Sequence, residues 1–316
     1  MAIQNLLTRT LGIDHPILLA PMDLISGGDL CAAVSNAGGL GLLGGGYAEP
    51  EWLEKQWSLA GNARIGCGFI TWSLAKRPEA LDVVLDRKPK AIMLSFGDPR
   101  PFASKIHAAG SRLICQVQTM LHVQEALEAR ADVIVAQGSE AGGHGMSESL
   151  FTLLPQVVDR AGDIPVVAAG GVADGRGLAA AIMFGAQGVL MGTRFYASQE
   201  SLGRADAKQR IVAARGGQTV RSTIFDIARR NRWPDGFTGR VLRNRFADRW
   251  LGHEEEMASN EEAAREYAAA RDRGDFDIAA VIAGDACALI HDLPSAREII
   301  ERTISHAEKL LRASYC

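Results

Sequence analysis

The chain has 316 residues, 47% apolar and 22% charged, which excludes a disordered or fibrous protein and leaves either one large α/β barrel or two domains. A formal net charge of −3 removes the basic footprint that nucleic-acid or anionic-membrane binding needs, so small molecules are the expected partners. No apolar run approaches the roughly 20 residues of a membrane helix, and residues 1–20 carry no secretory signal, so a cytoplasmic location is expected. The five scattered cysteines, Cys31, Cys67, Cys115, Cys287 and Cys316, include no CxxC pair, which argues against a disulfide framework or a zinc knuckle.

Eight short apolar runs, each ending near Gly, Gln or Ser, occupy the first two thirds of the chain: 16–20, 40–43, 65–70, 91–96, 113–117, 133–137, 165–170 and 189–192. Continuous apolarity of this kind marks parallel strands buried on both faces. Helical spacing falls between them at 29–37, 78–85, 101–109, 123–129, 150–161 and 176–184. Strand and helix in alternation, with right-handed crossovers, close into a (β/α)8 TIM barrel. The repeat alone also fits an open doubly wound sheet. The barrel is favoured because eight units suffice for closure and the glycines at 38, 39, 41 and 44–46 spell no GxGxxG before a helix.

Beyond Ala197 the strand-like runs stop, and the sequence reads as helices and loops rich in Ala, Arg and Glu. Residues 221–249 hold eight arginines against three acids, either a solvated face or an anion-binding rim. Near the end, Ser295 after Pro294 is an N-cap with Glu298 as its capping-box partner, and Ile299, Ile300, Ile304, Leu310 and Leu311 form an apolar stripe. This helix is expected to return to the barrel as its eighth outer helix. The expected organisation is a barrel over 1–198, a smaller helical cap over 199–293 inserted after strand eight, and the closing helix over 294–316.

The densest motif is Gln137, Gly138, Ser139, Glu140, Ala141, Gly142, Gly143, His144, Gly145, directly after the sixth strand and so on the active-site face of a barrel. Gly142 and Gly143 let backbone approach a ligand closely, Gln137 can donate and accept, and His144 is suited to act as a general base. A polar loop with a merely solvated histidine is the plainer alternative. After strands seven and eight come Ala169, Gly170, Gly171, Val172 and Leu190, Met191, Gly192, Thr193, Arg194, Phe195, where barrels hold a phosphate on backbone N–H groups. Thr193 offers a hydroxyl and Arg194 a charge. Pro21 and Met22 end the first strand, Gly68 and Phe69 lie on the third, and Gln116 and Gln118 on the fifth point to one side. No His, Asp or Glu cluster has metal-ligand spacing.

The motifs Ala20-Pro21-Met22, 137–144, 169–172 and 191–195 together resemble the nitronate monooxygenase family, over residues 16 to about 195 and again at 283–311. That resemblance implies non-covalent FMN at the barrel mouth beneath a helical cap. It assigns flavin contacts to Gln137, Gly142, Gly171, Leu190, Met191, Gly192 and Thr193, and places Pro21 and Met22 near the isoalloxazine. Gln116, Gly143 and Gly170 join them from the motif reading. Gly68 stands where family members commonly carry Asn, so a backbone group there is expected to replace a side-chain contact. His144 matches the family's base. The implied activity is oxidation of alkyl nitronates, and of nitroalkanes, by O2 to carbonyl compounds and nitrite. Related barrels include NAD(P)H:quinone and enoyl reductases, which remain the alternative, with the cap arginines as a nucleotide phosphate site. A homodimer is left open.

Overall fold

The computed structural model describes residues 3–313. Its strands are β1 (Ile17–Leu19), β2 (Leu42–Gly46), β3 (Gly66–Ile70), β4 (Ala91–Ser95), β5 (Arg112–Val117), β6 (Val133–Gln137), β7 (Gly143–Gly145), β8 (Val166–Ala169) and β9 (Gly188–Met191), followed by two more in the cap. All of these except β7 are parallel and hydrogen-bond in the order β1-β9-β8-β6-β5-β4-β3-β2. A parallel bridge between Leu18 and Leu40 ties β1 back to the segment leading into β2, so the ladder closes and the sheet keeps no open edge.

Alternation along each strand divides the apolar residues between two cores. Leu18, Met93, Ile114, Val133, Val135 and Val167 fill the barrel interior together with Leu7 and Leu11 of the helix Leu6–Leu11. Ile17, Leu19, Ile92, Leu94, Ile134 and Val189 instead face the surrounding helices. The six expected helices are present, each starting within three residues of its expected position. Four more in the barrel, Leu6–Leu11, Pro50–Ala60, Thr71–Leu74 and Thr193–Tyr196, were not read from the pattern. The second strand also starts later than its apolar run and continues through Gly44, Gly45 and Gly46.

The helix Ala296–Ala313 packs between Gly175–Met183 and Gly28–Asn36 and completes the ring of outer helices. Its start is the expected capping box: the Ser295 N–H donates to Glu298 Oε2 (3.1 Å) and the Glu298 N–H to Ser295 Oγ (3.3 Å). Ile299, Ile300, Ile304 and Ala307 are buried in the outer core, and Leu310 and Leu311 pack against it. Cys31, Cys67, Cys115 and Cys287 are buried free thiols, and Cys316 lies outside the described residues. No helix among the described residues is long and apolar enough to cross a membrane.

The insertion after β9 is mainly helical, but the expectation of helices and loops alone is incomplete. β10 (Thr219–Ser222) and β11 (Thr238–Leu242) pair antiparallel, and β11 pairs on its other side with β7, so a loop of the barrel becomes the third strand of a sheet in the cap. The register sets Val220 opposite Val241 and Arg221 opposite Arg240. The valines pack into the cap core, while the paired arginines, a destabilising combination on an open sheet, are held by other bonds described below.

The closing helix yields a direct test of the fold. Ile300 is fully buried between the strands and the outer helices, so Ile300→Ala should cost about 2–5 kcal/mol in denaturant unfolding. A loss below about 0.5 kcal/mol would show that this helix does not close the ring.

Candidate active site

A cavity of ≈ 380 Å³ opens at the C-terminal mouth of the barrel, under the cap. Every residue assigned a flavin contact or a catalytic role lines it except Met191. Met191 alternates with Leu190 on β9: Leu190 faces the interior, whereas the Met191 side chain is 1% exposed in the outer core, on the side of the helices. Arg194 does not reach the cavity either. It is buried, and donates from Nη1 to Asp292 Oδ1 (2.8 Å) and from Nη2 to the Ala197 carbonyl (2.6 Å), so it anchors the segment leading into the closing helix. Gly68 lines the cavity with backbone, and a side chain there would overlap the ring of Pro21.

The glutamines act as a set. Gln137 Oε1 accepts from Gln118 Nε2 (2.8 Å) and Gln116 Nε2 (3.2 Å), both from the inward face of β5 and its extension. With the carbonyl saturated, the Gln137 amide has only its N–H groups left to offer a ligand. Gln118 is itself outside the cavity and serves as a brace.

The loop carrying His144 is fixed from the cap. Arg221 donates from Nη2 to the carbonyls of Ser139 (2.9 Å) and Ala141 (3.2 Å) and from Nη1 to that of Gly145 (3.1 Å), and Arg240 Nε donates to the Ser139 carbonyl (2.8 Å). These bonds explain how Arg221 and Arg240 stand opposite one another. A Cβ on Gly142 would lie 2.6 Å from the Gly284 nitrogen and 2.7 Å from the Ala283 carbonyl carbon, so glycine permits the close contact of this loop with the cap.

The cap also supplies the partner of the histidine. His144 Nε2 lies 2.9 Å from Asp226 Oδ2, and Asp226 Oδ1 accepts from Arg229 Nη2 at 2.6 Å, both on or beside the short helix Ile224–Ala228. The His144 and Asp226 side chains are 10% and 7% exposed. Burial lowers the His144 pKa below the ordinary histidine value against the opposing hydrogen bond and charge of Asp226, and Arg229 and Arg221 add to the lowering. The neutral imidazole donates its Nε2–H to the carboxylate, which leaves Nδ1 as its basic atom. Trp233 stacks on the ring with centroids 3.4 Å apart and planes 7° from parallel, and Phe96 meets both rings edge-on, at 6.5 Å from His144 and 5.2 Å from Trp233. Phe96 has φ 64°, a left-handed conformation rare for an aromatic residue and held here at the cavity wall.

Asp226, Arg229, Trp233 and Phe96 were not singled out as catalytic partners in the sequence. Only the charge run pointed toward Arg229, and there it suggested a nucleotide rim. In the structure Arg221, Arg229 and Arg240 bond within the protein, Arg230 bonds the Ala258 carbonyl and Glu261, and Arg229 also lines the cavity.

The donor set fits a flat heterocycle bearing one anionic group. Gly170 and Gly171 have φ 105° and 73°, and a Cβ built on Gly171 meets nothing closer than 3.6 Å, so the cradle is open space that side chains would fill. Gly192 and Thr193 border the same space, and the Thr193 hydroxyl accepts from the Gly284 N–H at 2.9 Å while retaining its own proton to donate. Gln137 presents N–H groups to the inner end.

Comparison with known proteins agrees with this geometry. The family model described as nitronate monooxygenase matches residues 4–61 and 70–305. A nitronate monooxygenase, npaC, from Metarhizium robertsii is 34% identical over 93% of this chain and 91% of its own. A (3aS,4S,5R,7aS)-5-hydroxy-7a-methyl-1-oxo-octahydro-1H-indene-4-carboxyl-CoA dehydrogenase from Rhodococcus jostii is 36% identical, but over 63% of this chain and 57% of that protein. The structure of FabK from Thermotoga maritima superposes with a TM-score of 0.86 at 31% identity, covering 99% of this chain and 98% of that one. With the family model spanning barrel, cap and closing helix alike, the chain belongs to the nitronate monooxygenase family of oxidoreductases.

Proposed function

We propose that this protein uses FMN to oxidise alkyl nitronates with O2 to carbonyl compounds and nitrite, and that His144 admits neutral nitroalkanes by removing their α-proton. The observation that carries this reading is the His144–Asp226 hydrogen bond in the wall of the cavity. When bound, FMN would supply the electron acceptor for the nitronate and the route of those electrons to O2. Gly170, Gly171, Gly192 and Thr193 would hold its phosphate and the Gln137 amide its ring system.

The protein's own part is proton chemistry and orientation. Asp226 fixes the imidazole with its basic nitrogen free, and stabilises the cation formed when His144 takes a proton. Arg229 offsets part of the carboxylate charge, which keeps His144 neutral and able to act as a base near pH 7. Arg229 and Arg271 both line the cavity, giving a nitronate anion a positive wall, while Phe96, Trp233 and Ile282 surround an alkyl chain. A dehydrogenase or reductase fed by NAD(P)H is the second reading, favoured by the likeness to the CoA dehydrogenase. Assays of nitronate-dependent O2 uptake and of NAD(P)H oxidation separate the two.

His144→Asn should retain FMN, seen in the visible spectrum, and lower kcat/KM on a neutral nitroalkane by roughly 10²–10⁴-fold, with a smaller loss on the preformed nitronate. Equal losses on both substrate forms, with flavin retained, would remove His144 from the proton-transfer step.

The pH profile tests the partner. The neutral imidazole is the active form, so activity on neutral nitroalkanes should fall on acidification through an ionisation below the ordinary histidine value. Asp226→Asn removes the influence that raises this pKa. Its acid limb should therefore move to still lower pH, while the plateau rate falls because the base is weaker. An acid limb that stays in place would show that Asp226 does not set the ionisation of His144.

A further inference from the structure

At the opposite end of the barrel, where the outer helices finish and strands begin, lies a second concavity of ≈ 530 Å³. Its walls come from the end of Leu6–Leu11 and from the loops that enter β3, β4 and β5. Six cations line it, Arg9, Arg64, Arg87, Lys88, Lys90 and Arg112, and no Asp or Glu does. Arg112 pairs with Asp132 (2.7 Å), and Lys90 donates to the Gly12 carbonyl (3.1 Å). The side chains of Arg9, Arg64, Arg87 and Lys88 make no hydrogen bond or ion pair with any described residue.

Cations after helix C-termini are commonly accounted for by the carbonyl ends they face. Here one carbonyl at each end is met by backbone: Gly12 N–H bonds the Arg9 carbonyl, Gly61 that of Ser58, Lys88 that of Leu85, and Gly110 that of His107. The four cations without partners border one open hollow, in a chain of net charge −3. An anion in the hollow can be shared by several of them. Guanidinium groups in particular match phosphate oxygens in paired hydrogen bonds. Trp57 lines the same concavity and Asn62 adds an amide, an aromatic surface and a polar group beside the charges. The site is a single hollow, which suits a small polyanion and not the extended track of a nucleic acid.

We propose that this hollow binds a multiply phosphorylated small molecule, its phosphates shared among Arg9, Arg64, Arg87 and Lys88. The site is separate from the mouth of the barrel and independent of the oxidation chemistry. Inorganic polyphosphate and a nucleoside triphosphate carry the same anionic chemistry, and Trp57 distinguishes them, since only the nucleotide has a base to lay against it.

The flavin-loaded protein would be titrated at low salt with tripolyphosphate and with ATP, followed by calorimetry, with sulfate at matched ionic strength as the control. Both phosphates should bind while sulfate does not. Arg64→Ala with Arg87→Ala should weaken each at least about tenfold, the order expected for losing charge-assisted hydrogen bonds, with nitronate oxidation and flavin content unchanged. Trp57→Ala should weaken ATP alone if the nucleotide is the better ligand, and neither if the phosphates suffice. Should sulfate match the phosphates, or should the double variant bind as well as wild type, the hollow is not a phosphate site. Far-ultraviolet circular dichroism of each variant establishes that the barrel is intact, so a loss of binding is read as loss of the site.

Discussion

The hydrogen bonds that draw β7 into the cap's sheet are the constraint on which the site depends. They run from Thr238, Gly239 and Arg240 to Gly145, His144 and Gly143, and so make one layer from a barrel loop and an insertion that begins some fifty residues later. A histidine on a glycine-rich loop would otherwise sample many orientations. Here the backbone on both sides of it is laddered, and Arg221 and Arg240 saturate the neighbouring carbonyls. Removing those guanidiniums would leave part-buried carbonyls without partners, so the charged face of the sheet is a structural element and not a solvated surface.

The electrostatics follow from the same junction. Asp226 stands between a histidine and an arginine, each using one of its carboxylate oxygens. Burial acts on His144 in the direction of the neutral ring, and the carboxylate acts against it. Arg229 adds a smaller push in the same direction as burial. In the role of base proposed for His144 this balance keeps the ring able to take a proton, and neither the barrel nor the cap holds all three groups alone.

The barrel was legible because its strands are buried on both faces and read as unbroken apolar runs, and because Ser295 and Glu298 announce the closing helix. The glycines of β2 blurred its end, since Gly44 to Gly46 look like a turn and in fact continue the ladder past Met22 and Asp23. The cap strands were illegible for a different reason. Their pattern sets Val220 and Val241 on one face and Arg221 and Arg240 on the other, and arginines facing a barrel loop cannot be told from arginines facing water in one dimension. Met191 shows the limit of motif transfer: it sits inside the signature, but the period of two along β9 turns it away from the cavity that Leu190 and Gly192 line. Asp226 lies 82 residues from His144, with no local signal joining them.

The placement of Ala296–Ala313 also bears on how the chain acquires its structure during synthesis. The helices Gly28–Asn36 and Gly175–Met183 present apolar faces to this last helix, and about a hundred residues of cap separate it from the eighth strand. While the ribosome is making the cap, those two faces are uncovered, on a barrel whose strands have all been made. Contacts of such long sequence separation form late and slowly. The emerging barrel is therefore most prone to association with other chains between completion of β9 and emergence of the closing helix, an interval in which chaperone contact has a defined place on the molecule.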